Sequence, residues 1–357
     1  LHKAIRRQRQ MCIRDSTDSF FDSFRNSYTG FDRWFARKCD EEAYICRSDN
    51  NKILGFLYLK TEDVSENYSD IEPPFSPKRR LKVGTFKVES TGFRLGERFV
   101  KIIFDNAQQR NVDEIYVTLF TDRGELVALE ELLYRWGFVY YGIKHNGGKE
   151  EKVLVKFLHK IIDNGTPKLN YPNISHLCNK FILPIMPQYH TTLLPDSQLN
   201  SENRIDFLGR EPHRYALQKV YISWASTNGA KPGDLILFYR MGLPGENKKY
   251  KSVISTIAIV DEIIENIGSE ENLLSLCQNR SVFSVDELKE FWRKHRYNLK
   301  ILKFIFVKSL SKRLTLGYLW EHNIIAAPGG PRPFTPITDE QFDMIVKDSE
   351  TEITYVE

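Results

Sequence analysis

What the sequence lacks removes several classes of protein at once. No run of 18 or more apolar residues occurs among its 357, so no transmembrane helix is read from it. Its most apolar stretches, such as 301–307, are interrupted by lysine. Five cysteines (Cys12, Cys39, Cys46, Cys178 and Cys277) are scattered, with no CxxC pair. They provide neither a zinc framework nor a disulfide scaffold; no metal site is expected, and a reducing cytoplasm is the expected setting. Internal repeats and low-complexity tracts are missing. Tyr189 and His190 have no serine or cysteine at a recognisable spacing for a nucleophilic triad. Net charge is small: 51 basic residues against 47 acidic ones leave +4.

The residues present are those of a globular protein, 41% apolar, 27% charged and 13% aromatic, and the length fits two domains, each able to bury a core. Residues 1–16 carry Lys3, Arg6, Arg7, Arg9 and Arg14 against Asp15, an excess of four that leaves 17–357 neutral. That segment has no apolar core of a secretory signal. Its RQMCIRDS string resembles translated adapter read-through, and the chain begins with leucine. We expect residues 1–16 to be a non-native, artefactual segment.

From residue 17 the pattern alternates helices and strands. Phe20, Phe21, Phe24, Phe31, Trp34 and Phe35 stand at helical spacing over 18–39, which predicts a helix packed on a sheet. Strands are expected at 43–46 and 53–59, then a loop at 61–80. A strand at 81–89, a helix at 95–109, a strand at 114–120, a helix at 124–135 and strands at 139–141 and 153–157 follow. Strands joined by helices predict an α/β sheet with at least one crossover. Residues 163–175, rich in Pro, Asn and Gly, read as a linker. Beyond it strands separated by turns predominate, at 219–223, 235–239, 252–260 and 299–307. Ser284 and Glu287 have capping-box spacing for a helix over 285–293. Residues 183–196 read as a covering segment between the domains.

The strand at 81–89 runs through Ser90-Thr91-Gly92-Phe93-Arg94-Leu95-Gly96 into a helix. A glycine-containing turn there aims backbone N–H groups and the helix dipole at an anion, with Arg94 and Arg98 as charged partners. Together with the later Tyr134-Arg135-Trp136-Gly137-Phe138, this stretch resembles the GNAT superfamily of N-acetyltransferases over residues 17–162. Gly92 and Gly96 match its pyrophosphate loop, while Thr91 and Arg94 depart from the consensus. The resemblance implies a mixed α/β (α+β) sheet flanked by helices, acetyl-CoA as cofactor, and acetyl transfer to an amine of unknown identity. It implies coenzyme contacts from Val88, Gly92, Phe93, Arg94, Leu95, Gly96, Glu97 and Arg98. Glu89 is the candidate base, or else a solvated strand-end carboxylate, and Tyr134 the candidate acid for the leaving thiolate.

Residues 176–350 resemble the PUA-like barrels of the EVE and ASCH kind, on the order of Val220–Trp224, Lys231-Pro232-Gly233-Asp234 with its apolar strand, and the Pro-Gly-rich tail; 351–357 form a C-terminal tail. That resemblance implies a mostly β barrel that binds RNA or a modified nucleotide. Ser223, Trp224, Tyr239 and Arg240, at strand ends, are the pocket candidates, and Arg332 a further anion contact. Between Lys289 and Arg313 nine basic residues meet only Glu290, with Trp292 and Tyr297 interleaved. Lys300, Lys303 and Lys308 are the phosphate candidates; a solvated face is the alternative. The competing function is a non-catalytic nucleotide-binding regulator with a degenerate coenzyme site, part of a larger toxin or RNA-processing protein.

Overall fold

A computed structural model describes residues 5–8, 18–38, 40–48, 50–89, 95–120, 124–159, 161–199 and 216–357. The chain divides after His159 into two compact units.

The first unit holds β1 (Ile5–Gln8), α1 (Asp22–Ser27), α2 (Phe31–Arg37), β2 (Ala43–Arg47), β3 (Ile53–Glu62), β4 (Ile71–Glu72), β5 (Arg80–Val88), α3 (Leu95–Gln109), β6 (Glu114–Phe120), α4 (Gly124–Arg135), β7 (Val139–Asn146) and β8 (Lys149–Phe157). The strands form one mixed sheet in the order β1-β2-β3-β5-β6-β8-β7-β4. Among the described residues of this sheet only β5 and β6 pair in parallel, joined through α3. The period of two along β3 decides what covers each face. Gly55 looks to one side, where a Cβ would collide with Phe99 of α3. Phe56 and Tyr58 look to the other, against Phe21, Phe35 and Trp34. Thus α3 packs on one face and the α1–α2 hairpin on the opposite one.

The single helix expected over 18–39 is two short ones. Gly30 adopts φ +87° between them, a left-handed conformation that ends helical propagation. Residues 61–80 contribute β4, which pairs with β7. Within the N-terminal segment, Ile5–Gln8 pair antiparallel with β2. An unpaired strand edge accepts extended chain through backbone groups alone.

The second unit holds α5 (Pro167–Asn170), β9 (Lys180–Ile185), α6 (Pro187–Leu193), β10 (Gln218–Ser223), β11 (Leu235–Arg240), α7 (Lys248–Lys251), β12 (Val253–Ile264), α8 (Glu270–Cys277), α9 (Val285–His295), β13 (Lys300–Thr315), α10 (Leu316–Glu321), β14 (Thr335–Ile337) and α11 (Asp339–Asp348). Its sheet runs β10-β13-β12-β11-β9-β14. Among the described residues no pairing joins β10 to β14, so the expected barrel closure is absent there. β11 is buried on both faces, with Leu235, Leu237 and Tyr239 in one cluster and Ile236 and Phe238 in another. The Ser284–Glu287 capping box forms at α9.

Two expectations change here. Residues 163–175 are not an open linker: α5 forms, and Tyr171 and Ile174 are buried. The stretch 183–196, read as covering, supplies β9 and α6, and β9 pairs in parallel with β11. Pro184 disguises it. β14 reaches β9 only as far as Ile182, so Pro184 lies where the other edge needs no donor.

Among the described residues no helix is long and apolar enough to cross a membrane, and no cluster of His, Cys, Asp or Glu could hold a metal ion.

Candidate active site

β5 locates the site. Its register with β3 slips between Tyr58↔Thr85 and Leu59↔Val83, leaving Gly84 as the extra residue of a β-bulge. Its parallel ladder with β6 begins at Arg80↔Glu114 and ends at Val83↔Val117. Both strands continue, β5 to Val88 against β3 and β6 to Phe120 against β8. A bulge bends its strand, so β5 parts from β6 at Gly84 and each presents an unladdered backbone edge to the other. Glycine is needed at the bend, since a Cβ there would stand 2.8 Å from Cδ1 of Tyr58.

Beside this divergence lies a cleft of about 710 Å³. Gly84, Thr85, Thr118 and Phe120 line its strand side; Tyr28, Phe31 and Trp34 come from the α1–α2 hairpin; Lys144, Asn146 and Lys149 come from β7 and β8. Glu151 also lines it, 2% exposed, accepting hydrogen bonds from Tyr28 Oη at 3.2 Å and Asn146 Nδ2 at 2.9 Å. Among the described residues it makes no ion pair, so no fixed cation competes for its lone pairs. Tyr58, 2% exposed, lies on the same wall; burial raises its pKa and the Lys38 ammonium opposes that shift.

Next to the cleft the buried Glu62 accepts from Tyr116 Oη at 2.6 Å, Tyr68 Oη at 3.1 Å, Lys60 Nζ at 3.1 Å and Lys82 Nζ at 3.3 Å. Burial alone would raise its pKa, but the Lys82 ammonium, Tyr116 and Lys60 hold it below the ordinary carboxylate value. Burial lowers the pKa of Lys82; Glu62 opposes that shift, while the Lys144 and Lys60 ammoniums add to it.

The opposite face of the sheet carries the other candidate. Lys152 neighbours Glu151 on β8 and therefore points away from it, and it pairs with Glu130 of α4 at 2.7 Å. Tyr134 lies one turn further along α4, half-exposed, its pKa pushed up to about 12 by burial and by Glu130. A phenol of that acidity stays protonated and donates a hydrogen bond, but it yields its proton reluctantly to a thiolate of pKa about 8.5.

The residues expected at the coenzyme loop fare differently. Gly92, Phe93 and Arg94 lie outside the described residues. Val88 closes β5 opposite Gly55. Leu95 is buried in the α3 packing, Glu97 is half-buried in its first turn, and Arg98 is buried. Gly96 faces α4, where a Cβ would meet Leu132 at 2.8 Å. Glu89 does not line the cleft; its carboxylate pairs with Lys87 at 2.9 Å and Lys52 at 3.7 Å. Glu151 escapes sequence reading because its neighbours Lys149, Glu150 and Lys152 make it look like part of a solvated charge run. The signal that could have found it is Gly84, a glycine inside an apolar strand.

In the second unit the expected pocket does not assemble. β10, β13, β12 and β11 pair antiparallel in succession, so β10 and β11 run in opposite directions. Ser223 lies beside Lys300 near the Ile264 end of β12, whereas Arg240 lies beside Val253 at its other end. Tyr239 is buried in the core, and Arg240 Nη1 donates to the Met241 carbonyl. Trp224 is 46% exposed and stacks on His295 at 4.3 Å. Tyr297, 90% exposed, carries the Arg296 guanidinium 4.8 Å from its ring centroid. Lys300 pairs with Glu265 at 2.6 Å, Lys303 with Glu262 at 2.7 Å, and Lys308 donates to the Glu352 carbonyl. The basic strip is thus partly neutralised by its own sheet. Arg332 is exposed in the turn before β14.

No family profile matches the chain, and no curated protein does. Among solved structures, ASCH from Zymomonas mobilis aligns over 50% of this chain and 98% of its own at 13% identity, TM-score 0.33. An N-acetyltransferase from Staphylococcus aureus Mu50 aligns over 44% and 98% at 11% identity, TM-score 0.33. The NatC complex bound to Gag peptide and CoA aligns over 44% and 99% at 16% identity, TM-score 0.29.

Proposed function

We propose that the first unit is an acyltransferase that moves an acetyl group from acetyl-CoA to an amine. The observation that carries this reading is the bulged parting of β5 from β6 beside a cleft whose buried carboxylate, Glu151, is free of ion pairs. The unladdered edges over 84–88 and 118–120 suit an amide-rich pantetheine arm, because buried backbone groups need partners. When bound, acetyl-CoA supplies the activated acyl carbon.

The chain's own residues supply the rest. Glu151 would take one proton from the incoming ammonium, which frees the nitrogen lone pair to form the new C–N bond while the C–S bond breaks; the nitrogen then gives up its second proton, which ends on the departing sulfur as the released thiol. Backbone N–H groups at the β5 edge are donors for the carbonyl oxygen as its charge develops. Tyr134, across the sheet, donates a hydrogen bond to the departing sulfur. The aromatic hairpin keeps water from the amine.

For the second unit we propose binding of RNA or a modified nucleotide on the surface bearing Trp224, Tyr297 and Arg296, with the protein acting in the cytoplasm. Exposed aromatic faces flanked by arginine are the usual platform for unpaired bases.

Calorimetric titration of the full chain with acetyl-CoA, followed by amine-dependent thiol release, tests the acyltransferase reading. Micromolar binding with release on adding amine supports it. A folded protein that binds no acetyl-CoA overturns it.

A further inference from the structure

The lining of the cleft is unbalanced in charge. Arg37, Lys38, Lys60, Lys82, Lys144 and Lys149 contribute six cations, and Glu151 is the one carboxylate among the lining residues. Four of the cations have acidic partners: Lys38 with Glu41, Lys60 with Glu66 and Glu62, Lys82 with Glu62, and Lys144 with Asp70. None of those four acids lines the cleft. Counting all of them, six cations and five carboxylates leave only +1, so the bias is one of direction: ammonium groups face the cleft and their counter-charges lie behind it.

Lys60, Lys82 and Lys144 are close enough that the other two ammoniums depress the pKa of Lys82. Like charges gathered at a concave surface attract an anion strongly, because the surrounding protein excludes the water that would screen them. An amine acceptor is itself a cation before it reacts. A simple alkylammonium would face six lining cations, four of them paired with acids outside the lining, and a single lining carboxylate.

We propose that the acceptor is an amine carrying its own anionic group, a carboxylate or a phosphate, received by Lys60, Lys82 and Lys144 while its nitrogen faces Glu151. This rests on the acyltransferase reading of the same cleft. Tyr28, Phe31 and Trp34 take the apolar body of such a molecule.

The test uses the full chain, saturating acetyl-CoA and matched amine pairs: tyrosine against tyramine for the carboxylate, phosphoethanolamine against ethanolamine for the phosphate. Thiol release should favour one anion-bearing member over its partner lacking the anion by about tenfold or more in kcat/KM, the scale of one charge-assisted contact. The pair that shows the preference identifies the anion. Lys82→Met, with Lys60→Met as a second variant in case the first fails to fold, should draw that ratio towards one. Ratios at or below one in both pairs, with tyramine or ethanolamine acetylated, overturn the anionic acceptor and leave the acyltransferase standing. If acetyl-CoA does not bind, the acyltransferase reading fails by itself. Calorimetric binding of N-acetyltyrosine against N-acetyltyramine, and of phosphoethanolamine against ethanolamine, then decides the anion preference without turnover. No preference in either titration overturns it.

Discussion

Replacing Glu151 by glutamine separates the proton-accepting role of this residue from its place in the packing. Its carboxylate holds two neutral donors, Tyr28 Oη and Asn146 Nδ2. Glutamine keeps one acceptor oxygen and turns an NH₂ towards the other donor, so about one hydrogen bond is lost, about 1 kcal/mol. Against a typical stability of about 5–15 kcal/mol the variant folds. Removing a general base costs about 10²–10⁴ in rate, which at 1.4 kcal/mol per tenfold is far beyond that structural loss. The assay is thiol release over pH 6 to 10, with circular dichroism to verify folding. In the variant the residual rate should climb with the fraction of unprotonated amine, since only free amine then reacts. A loss smaller than about threefold refutes the reasoning. So does a larger loss for Glu89→Gln, whose carboxylate is held by Lys87 and Lys52 away from the cleft.

Three further outcomes are expected. Gly84→Ala drives a methyl against the Tyr58 ring and should destabilise the chain by about 1–3 kcal/mol in urea unfolding; an unchanged midpoint would remove the steric reading of the bulge. His190, buried with Nε2 2.8 Å from Ser255 Oγ, has its pKa pushed down to about 3 by burial, helped by Arg240 and Arg313. Between that value and the unfolded histidine's 6.5 the unfolded chain binds the extra proton. The stability is therefore complete above pH 6.5 and falls with pH by up to about 1.4 kcal/mol per unit. The difference between wild type and His190→Gln should shrink as pH drops from 7 to 4.5, and a constant difference counts against the buried neutral imidazole. Trp224→Ala should weaken single-stranded RNA binding by about 1–3 kcal/mol, measured by fluorescence anisotropy; equal affinity would move that surface elsewhere.

Much of the element order is legible in the chain because it depends on local periodicity. The helices 95–109 and 124–135 and the strand 114–120 have the limits that their apolar spacing suggests. Ser284 and Glu287 specify a cap that needs no tertiary partner. What local pattern does not contain is which strand ends meet. Ser223 and Arg240 both close apolar strands, yet three successive antiparallel pairings send them to opposite ends of β12. Glu89 and Glu151 look alike in sequence, and only the partners that folding brings to them, two lysines for one and a tyrosine and an asparagine for the other, tell them apart. Pro184 hides a strand because its tolerance depends on how far β14 reaches.

The cleft joins two kinds of construction. Its strand side belongs to one sheet: β5 stays laddered to β3 and β6 to β8 on either side of the parting, and the two are tied together below it from Arg80 to Val83. The other side is two helices of six and seven residues, too short to hold their shape alone. They are moored by a few contacts: phenylalanine packing, Lys87 Nζ to the Phe20 carbonyl, Lys149 Nζ to the Ser27 carbonyl, and Tyr28 to Glu151. Substitutions in residues 28–34 can therefore reshape what the cleft accepts while the strands that part at Gly84 keep their register. Divergence of this protein among its relatives should then accumulate in the hairpin, with selectivity evolving separately from the chemistry beneath it.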